Sequence, residues 1–155
     1  MDLEPLIETW HINNRINIYL LEAIPSEDLG SSLSSKGRSA GEQFVHIHNV
    51  RLMWLKAAMP EELENQVKLE KENANDKDLL RSLIERSGTG IAKLLAFAAA
   101  NGGRVKGFKP HVSAFVGYLI AHDAHHRSQA IIALKQSGHP LDKKILYGIW
   151  EWGTR

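Results

Sequence analysis

The chain has 155 residues, of which 43% are hydrophobic, 24% charged and 7% aromatic, the profile of one soluble globular domain over 1–155 rather than a disordered, fibrous or membrane chain. Nineteen Lys and Arg stand against eighteen Asp and Glu, a net charge of +1 that is too balanced for the basic footprint a nucleic-acid partner requires. Cysteine is absent, which excludes a disulfide framework, a Cys-type zinc site and a thiol nucleophile within the chain.

Apolar residues recur at helical spacing and no run alternates at the period of a strand, so the expected fold class is all-α. The first helix is predicted from near Pro5, where a missing N–H costs nothing, to about Ile24. Its apolar side is Leu6, Trp10, Ile16, Leu20, Leu21 and Ile24; Asn13, Asn14 and Asn17 either line a polar pocket or form ordinary helix surface. A Ser- and Gly-rich connection follows over 25–38. Ser39-Ala-Gly-Glu42 reads as a capping box opening a second helix over about 39–58, ended before Pro60. The charge-rich stretch 61–78 reads as a solvated loop or frayed helix edge without function. A third helix runs from about Asp76 to Asn101-Gly102-Gly103, with Gly88 and Gly90 counting against its continuity. The fourth starts near Pro110 and reaches Ser137, ~28 residues or roughly 40 Å, before Gly138-His139-Pro140 stops it. Leu146, Tyr147, Ile149, Trp150 and Trp152 make the tail too apolar to be free; they are expected to cover one end of a four-helix bundle, the alternative being a homodimer surface. No apolar run reaches the ~18–20 residues a bilayer needs, and the acidic start MDLEPLIETW lacks the basic region of a secretory leader, so a cytoplasmic protein is expected.

At this length folding hides roughly 68–70% of the unfolded surface, so no structural metal is needed and any metal present is suspected of chemistry. The candidates are histidines of the fourth helix, His122, His125 and His126. Residues i and i+4 share a helix face, so His122 and His126 are a natural chelating pair, on one stripe with Val112, Phe115, Leu119, Ala130 and Ala133. Two imidazoles side by side in a core are costly unless satisfied, and a divalent ion uses both. The second helix supplies the third ligand from His46 or His48. His46 shares a lane with Val50, Met53 and Ala57, whereas the lane of His48 includes Arg51, which leans slightly towards His46. Three His leave room for water or substrate, the pattern of a catalytic site, and suit zinc, nickel, iron(II) or copper. His48, His125, His11, His111 and His139 read as surface or loop histidines, and Asp123 either orients a ligating imidazole or, as its angle from His122 favours, is a solvent-facing carboxylate. Gln129 either touches the open side of the site or completes a helix–helix hydrogen bond, and spacing leaves open whether Asn14, His48, His125 or Gln129 contacts it.

At these residues the sequence resembles the DinB/YfiT-like superfamily of four-helix metal-binding proteins, over most of the chain. The resemblance rests on Asn14-Arg15, on Gly41, Glu42, His46 and Trp54, on His122, His126, Arg127 and Gln129, and on the Gly138-His-Pro break; Ser128 stands where glycine is common. It implies one divalent metal on His46, His122 and His126. It further implies a transferase or isomerase in which a low-molecular-weight thiol, such as glutathione, mycothiol or bacillithiol, reacts with a small electrophile. A metal-dependent hydrolase and a non-enzymatic, stress-associated metal-binding protein are the alternatives. The partner expected is a small molecule, with no nucleic acid or membrane involved.

Overall fold

Local chemistry sets where each long helix begins. In the computed structural model, which describes residues 3–155, α1 (Glu4–Ala23) opens with Pro5 in its first turn. Met1 and Asp2, the first residues of the expected domain 1–155, lie outside the described residues. At the start of α2 (Ala40–Ala58), Glu42 N–H donates to Ser39 Oγ at 3.2 Å while Ser39 N–H donates to the Glu42 carboxylate at 2.6 Å, the expected capping box. Asp76 accepts the Leu79 N–H at 3.0 Å to open α3 (Lys77–Ala100), and His111 Nδ1 accepts the Ala114 N–H at 3.2 Å to open α4 (Val112–Gln136). Gly138, at φ 83°, ends α4 as expected. A short α5 (Lys143–Gly148) follows, and among the described residues there is no strand.

α1 and α2 each pack against both α3 and α4, which places α1 and α2 across a diagonal of the four-helix bundle. Two apolar clusters result. Leu20, Leu21, Phe44, Ile47, Leu80, Ile84 and Leu134 form one; Trp10, Leu55, Ile91, Leu95, Phe115 and Leu119 form the other. Between them along each helix lies a buried polar layer made of Asn13, Asn14, Asn17, His48, Arg51, Ser87, Asp123 and Arg127. The three asparagines of α1 are thus core residues, and ordinary helix surface is excluded for all of them.

α3 is continuous through Gly88 and Gly90, against the sequence-based expectation, and the reason is packing. Trp10 Nε1–H donates to the Gly88 carbonyl at 2.8 Å, and a Cβ on Gly88 would run into the Asn14 amide. The glycine is there for close approach of α1 to α3. The stretch 61–78 is likewise more ordered than expected. It forms 3-10 turns at Pro60–Asn65 and Lys71–Asn75 that bury Glu62 and Ala74, Leu69 between them is buried as well, and Asn49 of α2 exchanges two hydrogen bonds with the Leu69 backbone, at 2.8 and 3.1 Å. The C-terminal segment packs on the bundle, but along its side rather than over its end. Tyr19 Oη donates to the Ile145 carbonyl at 3.2 Å, the Arg155 guanidinium lies 3.8 Å above the Tyr19 ring, and Ile149 and Trp152 flank the middle of α4. No helix is long and apolar enough to cross a membrane among the described residues.

Candidate metal centre

The i,i+4 spacing of α4 puts His122 and His126 on one face, with ring centroids 4.5 Å apart, and α2 brings His46 against both, at 5.2 and 4.3 Å. One ring nitrogen from each lies within 4.8 Å of the others. His46 Nε2 and His122 Nε2 are 3.3 Å apart. Two nitrogens bound at ~2.0–2.1 Å to one tetrahedral ion stand about 3.3–3.4 Å apart, so this pair is already at ligand spacing.

The outer nitrogens are held as well. His126 Nδ1–H donates to Gln43 Oε1 at 2.7 Å, and His122 Nδ1 faces Asp123 Oδ1 at a long 3.5 Å. A proton kept on Nδ1 leaves the Nε2 lone pair of each ring free to bind an ion. Burial, then the charge of Arg38 and the neighbouring imidazoles, pushes His46 down to about 4. Burial, then His46, His122, His125 and Arg38, pushes His126 down to about 3. Both rings are therefore neutral at pH 7, as ligands must be. Neutral nitrogen donors, correct spacing and oriented tautomers fit a divalent transition metal.

Asp123 corrects the expectation of a solvent-facing carboxylate: it is 1% exposed. It lies around the helix from His122, but that direction points to the bundle centre. Its Oδ2 accepts from Asn13 and Asn17, both at 2.8 Å, and from Arg51 at 2.9 Å. Burial opposes its charge, but Arg51 beside it and hydrogen bonds from His122, Asn17 and Arg51 prevail and hold the carboxyl far below its ordinary range. Arg51 also donates to Asn14 Oδ1 at 2.7 Å. Asn14 so belongs to the polar layer and does not reach the histidines.

His48 corrects a second expectation, since it is fully buried rather than at the surface. It bonds Ser87 Oγ at 3.0 Å and the Val67 carbonyl at 2.7 Å, away from the cluster. Burial, only partly offset by the Val67 bond, pushes it down to about 4. The lane preference that favoured His46 also fails as physics. Met53 is 53% exposed, and the inward lane is that of His48, because Asp123 neutralises Arg51 there. His125 is exposed, its ring edge-on to His126 at 5.0 Å. Gln129 is half-buried and makes no side-chain hydrogen bond among the described residues. His111 is the α4 cap, His139 sits 3.3 Å from Asp28 in a loop, and His11 is half-buried on α1.

Sequence reasoning missed Gln43, Arg51 and Arg127 as parts of this centre. Gln43 carried a usable signal, being three residues before His46 and so on its face of α2. Arg127 stood in the motif that carries the resemblance, but its burial, like that of Arg51, had no signal, because an arginine's burial depends on a partner from another helix. In comparison with known families, a model described as the DinB family matches residues 2–147. No curated protein and no solved structure matches the chain.

Proposed function

This chain belongs to the DinB family, and on that premise we propose that it is a divalent-metal-dependent enzyme, a thiol-dependent transferase or isomerase acting on a small electrophile. The observation that carries this reading is the convergence of three imidazole rings from two helices, one ligand atom of each within 4.8 Å of the others. His46, His122 and His126 would hold zinc, nickel or iron(II). When bound, the ion supplies positive charge that favours thiolate over thiol.

The chain's own residues do the rest. Gln43 and Asp123 keep His126 and His122 in the orientation a ligand needs. Arg38, Lys68 and Lys71 rim a cavity of about 270 Å³ that reaches His46. Lys68 pairs with Glu70 and Lys71 with Glu42, whereas Arg38 has no ion-pair partner among the described residues. That rim favours a thiol or an electrophile bearing a carboxylate. With no cysteine in the chain the sulfur must come from outside, and the cytoplasm, where such thiols stay reduced, is the compartment this reading requires.

The test is elemental analysis of protein purified without a histidine tag, paired with an assay of thiol consumption by an activated halo-arene. One equivalent of metal, turnover that needs thiol, and loss of turnover on chelation are expected. Ester hydrolysis without thiol replaces this reading by a hydrolase. A metal-loaded protein that binds no thiol and turns over nothing replaces it by a non-enzymatic metal-binding protein.

A further inference from the structure

α4 has a second face that the histidines do not use. Ile120, Ala124, Arg127 and Ile131 form a stripe which, at about 100° per residue, lies roughly 150° around the axis from His122 and His126. Facing it the C-terminal segment carries Ile149, Trp152 and the largely exposed Trp150, and a cavity of about 400 Å³ lies between the two. Its walls are aliphatic and aromatic, and Arg127 is the one charged side chain among its described lining residues.

Arg127 is only 7% exposed. Its Nη1 donates to Asn13 Oδ1 at 3.0 Å and to Asn17 Oδ1 at 2.6 Å. Its Nε and Nη2 have no hydrogen-bond partner among the described residues and are not wholly enclosed, and the residue lines the cavity. No carboxylate pairs with it among the described residues, since Asp123 is engaged by Arg51 at 2.9 Å. Two buried guanidiniums therefore stand beside one buried carboxylate, which Arg51 holds directly and which acts on Arg127 only at longer range, so the layer keeps a net positive charge. Uncompensated buried charge is costly, so an anion is the component this cavity lacks.

We propose that the cavity is a binding site for a small apolar carboxylate, an aryl or branched-alkyl acid. Its carboxylate meets Nε and Nη2 of Arg127, the paired donors that guanidinium offers to a planar anion. Its body lies between Ile120, Ile131 and the indoles of Trp150 and Trp152. The volume is that of an ordinary small-molecule site. Nothing in this assignment depends on a metal at the histidines.

The test titrates 4-phenylbutyrate, and separately its neutral counterpart 4-phenylbutyramide, into the intact protein with a chelator present, following the indole N–H resonances of Trp150 and Trp152. The acid should shift both resonances and bind about 10-fold or more tightly than the amide, the difference a charge-assisted hydrogen bond makes. Arg127→Gln should remove that preference. Because Arg127 also belongs to the polar layer, Ala124→Phe provides a second variant that fills the cavity from an exposed position and should abolish binding in a folded protein. Equal binding of acid and amide, unmoved indoles, or unchanged binding in Ala124→Phe overturns the proposal. So does a dimer by sedimentation in which acrylamide no longer quenches Trp150, since a second copy would then be the occupant.

Discussion

Gln43 is 5% exposed and its one side-chain hydrogen bond among the described residues goes to His126 Nδ1 at 2.7 Å, so its truncation tests orientation separately from ligation. Gln43→Ala should lower metal affinity about 10–100-fold, the usual effect of removing the group that fixes a ligating imidazole, with helicity by circular dichroism unchanged. Gln43→Glu, which keeps an acceptor oxygen there, should restore most of it. Asp123 serves stability more than binding. Asp123→Asn removes the one carboxylate that faces Arg51 among the described residues and should cost about 3–5 kcal/mol in urea denaturation, because it leaves a buried guanidinium unpaired. A loss below ~1 kcal/mol, the range of a surface pair, would contradict the buried polar layer. At this scale the α4 pair was legible, since i,i+4 spacing alone places His122 beside His126. His48 and Asp123 were not, because whether a polar group faces inward is decided by partners such as Ser87 and Arg51 that are distant in sequence.

For the elements, beginnings were written in short-range chemistry. The Ser39 and Glu42 pair set the start of α2 within a residue, and Gly138 set the end of α4. Ser39→Ala should cost about 0.5–2 kcal/mol of stability by the same denaturation measurement. α3 carries the opposite lesson. Gly88 counted against a continuous helix because a glycine is weak there by itself, and its compensation, the seating of Asn14 and Trp10 against its backbone, comes from α1. Gly88→Ala should therefore destabilise the protein by about 1–3 kcal/mol through overpacking, although alanine is the better helix former. An increase in stability would show that α1 can move aside. The C-terminal segment was misplaced for a related reason. Its apolar composition foretold packing, but not which face of the bundle would receive it.

The whole molecule is two apolar cores joined by a polar layer, with three imidazoles at the edge of that layer, and its pH response follows. His46 and His48 are held near 4 and His126 near 3, against ~6.5 for an unfolded histidine. The unfolded chain thus takes up protons that the folded state refuses. Stability of the metal-free protein is full above about pH 6.5 and is lost progressively as pH falls through the folded-state values. The thermal midpoint with chelator present should be level above neutrality and decline below pH 6.5; a midpoint flat to pH 4.5 would contradict the burial of these rings. Added metal should raise the midpoint at neutral pH, because it binds only the folded arrangement, and should do so less as acid competes for the same nitrogens.

The convergence of His46, His122 and His126 on one ion is tested most directly by X-ray absorption spectroscopy of untagged protein carrying one equivalent of zinc, alongside His46→Ala. Three imidazole scatterers at about 2.0–2.1 Å, falling to two in the variant, are predicted. An oxygen-dominated shell, or one that His46→Ala leaves unchanged, would contradict it.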